Sequence, residues 1–148
     1  MGAIVESMAI EDIKSLQQCA DAFFPVAGLR GSFNMGHFEQ CWQTYYALGI
    51  GKIMVVRHSG RVVAAMGCLR VPDLYTGEMV ASEVFWFVLP EHRGVGLALL
   101  DAYEKWARDE GCREVRMIHL SGLMPERLKA LYQRRGYCEV EVAYGKEA

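Results

Sequence analysis

No uninterrupted apolar run in the 148 residues approaches the ~18 that a membrane-spanning helix needs. The first ten residues carry no basic segment followed by a hydrophobic run, so nothing there reads as a secretory signal. Charge of one sign is missing as well: 16 Lys and Arg against 18 Asp and Glu leave a formal charge of −2. A dedicated nucleic-acid binder shows a basic surplus instead. The five cysteines (Cys19, Cys41, Cys68, Cys112 and Cys138) form no Cys-x-x-Cys pair, and His37, His58, His92 and His119 stand apart. A disulfide framework and a zinc site are therefore not expected, and the thiols read as free in a reducing compartment. Proline occurs only four times, and there is no low-complexity linker or internal repeat. These absences leave a cytoplasmic globular protein with no metal, no nucleic acid and no membrane among its expected partners. Association into a homodimer stays open.

What is present is 52% hydrophobic residues and 15 glycines. The length suits one domain spanning 1–148, able to bury a core without a metal or disulfide staple. Residues 3–6 read as an edge strand. Ile13, Leu16, Ala20 and Phe23/Phe24 recur at helical spacing up to Pro25, and Phe38, Cys41/Trp42, Tyr45 and Leu48 mark a second helix. Ile53–Arg57 and Val62–Arg70 are β-branched runs around a turn at His58–Arg61. Met79–Leu89, with its continuous Val84–Val88 run, reads as a strand covered on both sides. Leu97–Glu110 is amphipathic, with Asp101→Lys105 and Glu104→Arg108 as i,i+4 pairs. A short strand Val115–Leu120, a helix opened by Pro125 and a last strand Tyr137–Tyr144 follow. The expected order is β-α-α-β-β-β-α-β-α-β, an α/β chain with a mixed sheet.

Chemistry concentrates where the buried strand meets the third helix, Val88-Leu89-Pro90-Glu91-His92-Arg93-Gly94-Val95-Gly96-Leu97-Ala98. Pro90 stops the strand, and Gly94 and Gly96 strip side chains from a helix N-terminus, where unsatisfied N–H groups and the helix dipole favour an anion. A dinucleotide fingerprint would need Gly or Ala where Leu99 stands, and a nucleoside-triphosphate loop would need Gly-Lys-Ser/Thr. A plain turn, with glycines serving only the bend, remains the competing reading.

Taken with the rest of the chain, this segment resembles the acyl-coenzyme A motif of the Gcn5-related N-acetyltransferase (GNAT) superfamily. Leu131-Tyr132-x-x-x-Gly136-Tyr137 looks like that family's closing motif, and the element order agrees with its fold. There are two departures. The loop is about two residues short, which puts Glu91 in the usual Arg/Gln position, and Pro125 stands where an Asn is frequent. A carboxylate beside a pyrophosphate would repel it, so Glu91 is expected to point away and Arg93 to serve instead.

The resemblance implies acetyl-coenzyme A as co-substrate, an unidentified amine acceptor, and direct attack in a ternary complex. It places the cofactor against Val88, Arg93, Gly94, Val95, Gly96, Leu97 and Ala98, with a backbone N–H near Val88 facing the oxyanion. Tyr132 stands where the family's Tyr protonates the leaving thiolate; otherwise it completes an apolar helix face. Glu83, a carboxylate flanked by hydrophobic residues in the strand leading to Val88, is the candidate general base, and a strand-edge charge facing water is the competing reading. His119 is a second candidate base, and Ser121 a candidate substitute for the missing Asn. The basic run Arg127, Lys129, Arg134 and Arg135 is either a solvated face or an attractor for phosphates. Phe38, Trp42, Tyr45 and Tyr46 either pack the core or line an acceptor cleft. The cysteines show no His or Asp partner, so a covalent acyl-enzyme is not expected. A catalytically silent member of the fold, binding acyl-coenzyme A or a protein, is the alternative.

Overall fold

A computed structural model of the chain describes residues 2–148. Strands β1 (Val5–Ser7), β2 (Gly51–His58), β3 (Arg61–Pro72), β4 (Met79–Val88) and β5 (Glu114–Arg116) form one sheet in the order β1-β2-β3-β4-β5. The first four are antiparallel neighbours, while β5 runs parallel to β4. That parallel pair needs a crossover, and α3 (Gly96–Asp109) provides it. Helices α1 (Gln17–Phe23) and α2 (Met35–Ala47) lie between β1 and β2 in the chain, and α4 (Pro125–Arg134) follows β5. The β2–β3 hairpin turns on Ser59 and Gly60, with φ of 51° and 77°. Two successive positive φ values are what a tight turn between right-twisted strands demands.

The core forms where β2 and β3 carry nearly unbroken buried runs, Ile53–Val56 and Val62–Met66. Helix α3 brings Leu99, Leu100, Tyr103 and Ala107 onto it, all without measurable exposure. Helix α2 starts at Asn34, whose side-chain oxygen accepts the His37 N–H at 3.0 Å and caps an otherwise open helix end. The Tyr46 hydroxyl holds α2 to the sheet by donating to Met8 O (2.9 Å) and accepting from Ile53 N (3.0 Å). Tyr46 is therefore a structural tie.

Three expectations change. The Ile10–Phe24 helix is wound as a 3-10 segment over Ile10–Leu16, an α-helix over Gln17–Phe23 and a 3-10 turn over Phe24–Val26. Ile10, Ile13 and Leu16 are spaced by three, and three residues per turn stacks them on one inward line. Pro25 sits inside the last turn, near its N-terminal end, where a missing N–H costs little. The i,i+4 pairs Asp101–Lys105 and Glu104–Arg108 do not form. Arg135 instead engages both Asp101 and Glu104, the latter through Nε at 2.9 Å, and Lys105 turns to Asp109. A planar guanidinium presents two donors to two carboxylates one helical turn apart, which a single lysine cannot match.

The third change is at the C-terminal side. The fifth expected strand, Val115–Leu120, is confined to Glu114–Arg116, and Tyr137–Tyr144 forms no strand at all. Only Val80–Ser82 of β4 pairs with β5, so beyond Arg116 there is no ladder to continue. The alternating Val140, Val142 and Tyr144 consequently stand 65%, 55% and 94% exposed. A strand pattern without a neighbour for its hydrogen bonds does not become a strand.

Gly67 has no room for a side chain. A Cβ there would overlap the Phe85 ring and lie 2.6 Å from Trp42 Cζ2. Overpacking of this kind costs typically ~1–3 kcal/mol. Gly67→Ala is expected to lower stability by about that amount in urea denaturation, with an unchanged transition slope.

Candidate active site where β4 and β5 part

The site begins with a miscount between strands. Gly67 pairs with Phe85 and Cys68 with Glu83, so Val84 faces no partner and β4 carries an extra residue. Such a bulge bends its strand and re-aims the side chains around it. Val84 is 45% exposed in the middle of an otherwise well-covered strand. Past Ser82 and Arg116 the parallel strands are no longer paired. The Leu89 N–H donates to Val63 O at 2.9 Å, which fixes the alternation along β4. Phe87 and Phe85 turn their backbone groups to β3, so Trp86 and Val88 turn theirs to the outer edge, where no strand pairs with them.

Glu83 lies at the start of this gap and is only 5% exposed. Its Oε1 accepts the Ile118 N–H at 3.4 Å. Burial pushes its carboxyl up to about 8, partly offset by that bond, so the strand-edge charge facing water is ruled out. Tyr132, in α4, donates its hydroxyl to Ile118 O at 3.0 Å. Glu83 and Tyr132 thus meet at the two backbone groups of one residue, and burial together with Glu83 raises the phenol above its ordinary value. Tyr103 donates to Arg116 O at 2.7 Å and holds the neighbouring end of β5 on α3.

At the far end of β4, Pro90–Val95 forms a 3-10 turn that leads into α3, with His92 off the helical conformation (φ −122°, ψ 23°). The two glycines divide the work. A Cβ on Gly94 would meet nothing within 4 Å, so this side of the loop is open. Gly96 faces inward, where a Cβ would sit 3.3 Å from Trp86 and 3.4 Å from Val88. Gly96 also serves helix-to-strand packing, a role beside its expected place in the cofactor loop. Arg93, Gly94 and Leu97 are exposed, and Val95 and Ala98 are half-buried. Glu91 pairs with Arg61 at 3.4 Å, and among the described residues the Arg93 guanidinium reaches Met124 Sδ alone, at 3.7 Å. The Trp86 indole N–H is buried without a hydrogen-bond partner.

A cavity of about 320 Å3 opens beside Val84 and Phe85, walled by α2 and the segment before it. Phe38, Trp42 and Tyr45 line it; Tyr46 does not. Cys41 Sγ lies 3.5 Å from His37 Nε2 in the same wall. The sequence reading missed this pair. Four-residue spacing on a helix is its signal, but apolar periodicity begins at Phe38 and leaves His37 outside the expected helix. Cys19 and Cys68 are buried, and burial pushes both thiols up, Cys19 to about 11. His119 and Ser121 are exposed beyond the end of β5, and neither forms a hydrogen bond to Glu83. Of the basic run, Arg135 is committed to Asp101 and Glu104, and Arg127, Lys129 and Arg134 are exposed. Among the described residues no group of three or more His, Cys, Asp or Glu is arranged to hold a metal, and no helix is long and apolar enough to cross a membrane.

A mixed sheet whose last two strands part beside a glycine-opened helix start defines an acetyltransferase type of fold. The chain belongs to the acetyltransferase (GNAT) family, whose sequence pattern matches residues 14–137. Among solved structures it is similar to an acetyltransferase with acetyl-CoA from Clostridium acetobutylicum (13% identity, TM-score 0.76, covering 97% of this chain and 95% of that one). It is also similar to a ribosomal-protein-alanine N-acetyltransferase from Brucella melitensis biovar Abortus (16%, TM-score 0.74, all of both chains). A third is a glucosamine-6-phosphate N-acetyltransferase from Arabidopsis thaliana (15%, TM-score 0.70, 99% of each). At these identities the likeness is one of fold. Among curated proteins none matches the chain.

The Glu83 environment has a consequence for stability. The folded chain holds this proton up to about pH 8, whereas an unfolded glutamate releases it near 4.5. Its contribution is fully present below that lower value and is lost as pH rises through the upper one, with a slope of up to about 1.4 kcal/mol per pH unit. Glu83→Gln should flatten this fall in a series of denaturation curves from pH 4.5 to 8.5. An equal slope in wild type and variant would place the carboxyl in water.

Proposed function

We propose that the chain transfers an acetyl group from acetyl-coenzyme A to an amine by direct attack. The observation that carries this reading is the unpaired outer edge of Trp86–Val88, running into the open Arg93–Gly94 side of the turn before α3. Backbone groups along that edge suit an extended amide chain, which can add to them as a strand would. The Arg93 side chain, exposed and engaged only with a thioether, is free to meet the pyrophosphate, and Glu91 is kept from it by Arg61. Gly94, Val95, Leu97 and Ala98 border the same loop, with Gly96 holding it close to β4.

An alkyl amine of pKa ~10.4 is mostly protonated at neutral pH. Ionised Glu83, the minority form at neutral pH because burial holds its carboxyl at about 8, is the base that takes that proton, directly or through water. The amine nitrogen then bonds to the thioester carbon, and the Val88 N–H faces the oxygen that gains charge. As the carbon–sulfur bond breaks, Tyr132 is the candidate donor of a proton to the thiolate, and the second proton shed by the acylated nitrogen restores the phenol. One observation favours a second reading, a silent binder of acyl-coenzyme A: the Tyr132 hydroxyl is already committed to Ile118 O. Its use as an acid requires that bond to open. Free thiols throughout the chain support a cytoplasmic location.

Acetyl-coenzyme A at 100 times its Kd should stabilise the protein by about 2.7 kcal/mol, a rise of a few degrees in Tm. Arg93→Ala is expected to weaken that binding roughly tenfold, in line with loss of one charge-assisted hydrogen bond. Tyr132→Phe should slow thiol release by ~10²-fold or more with little change in cofactor affinity. No shift with millimolar acetyl-coenzyme A would overturn both cofactor readings; binding without thiol release across an amine panel would favour the silent one.

A further inference from the structure

The cavity beside β4 has a chemical preference of its own. Its walls are the rings of Phe24, Phe33, Phe38, Trp42, Tyr45 and Phe85, around about 320 Å3. That is room for one ring-sized molecule. No Asp, Glu, Lys or Arg lines it. Two of its polar groups have partners, Asn34 Oδ1 accepting the His37 N–H and Cys41 facing the His37 ring, and Ser32 and Tyr45 add neutral hydroxyls. Val84, the bulged residue next to Glu83 in the chain, and Phe85 form part of its wall, so the cavity borders the same stretch of β4 that carries the proposed base.

We infer that the acceptor amine is carried on an apolar, ring-sized body that fills this cavity, an arylalkyl monoamine, and not on a polyamine, an aminoglycoside or a basic peptide. The inference rests on the acetyl-transfer reading and names its substrate class. An attacking amine must be neutral, so a monoamine sheds its only charge on the way to reaction. Further ammonium groups on the same molecule would remain charged. Against ring walls with no carboxylate they lose hydration and gain no counter-ion. Aromatic faces attract a single cation during approach, and the same faces bury the apolar body afterwards.

The test compares 2-phenylethylamine with spermidine and kanamycin on the whole chain. Binding is read by tryptophan fluorescence, and turnover by thiol release at saturating acetyl-coenzyme A. The expected result is saturable binding of 2-phenylethylamine and a kcat/KM at least tenfold above that of either polycation. Cys41→Phe and Val84→Trp fill the cavity from two sides, at a half-buried and an exposed position. Each should raise the KM for 2-phenylethylamine at least tenfold and leave the KM for acetyl-coenzyme A unchanged. Equal or better turnover of spermidine or kanamycin overturns the inference, as does a 2-phenylethylamine KM indifferent to both variants. Acetyl-coenzyme A binding is measured separately by calorimetry. If acetyl-coenzyme A binds but 2-phenylethylamine neither binds nor reacts, the acceptor class alone fails. If 2-phenylethylamine binds in a cavity-dependent way but acetyl-coenzyme A does not, the ligand class stands and the transfer reading fails.

Discussion

The loss of a hydrogen-bonding neighbour along the second half of β4 is the constraint on which the other features depend. A buried strand normally satisfies its backbone on both edges. Here β3 serves one edge throughout, while β5 serves the other only at Val80–Ser82. Everything beyond is backbone polarity without a strand beside it, and the bulge at Val84 sits at the transition. The same geometry buries Glu83 against the first residues past β5, which desolvates a carboxylate in a place where water would otherwise reach it.

Burial and function pull on Glu83 in opposite directions. Among the described residues no cation offsets its burial, and its hydrogen bond from Ile118 is long. A carboxylate so placed is held neutral at acidic and neutral pH, and it reduces stability where it ionises. Strained or under-satisfied groups of this kind cluster at working sites because the rest of the fold over-determines their position. In this protein the over-determination is visible: Tyr103 and Tyr132 each anchor a backbone carbonyl of the segment that faces Glu83.

Much of the fold was legible from residue spacing. The β2–β3 hairpin, the long β4, helix α3 and the turn between them emerge from alternation, from a continuous apolar run and from helical periodicity. Like-charge repulsion was a sequence argument for turning Glu91 from a pyrophosphate, and its pairing with Arg61 is a contact that spacing could not name. What escaped was set by tertiary neighbours. Whether Tyr137–Tyr144 forms a strand depends on an edge being available, and the pattern Val140-x-Val142-x-Tyr144 carries no information about that. The bulge at Val84 has no sequence mark, since Val is an ordinary strand residue. The winding of Ile10–Leu16 was marked by its three-residue spacing, but the same residues also fit an α-helical reading.

The contact made by Gly96 reaches further than the residue itself. Because it lets α3 rest directly on Trp86 and Val88, the height of the Arg93–Gly94 corner above the strand is a packing distance. It is gauged from beneath by an indole and an isopropyl group, not by the loop's own conformation. A loop positioned in this way inherits the rigidity of the core. Its geometry tolerates changes in the turn's exposed residues better than a single methyl group added at the seam.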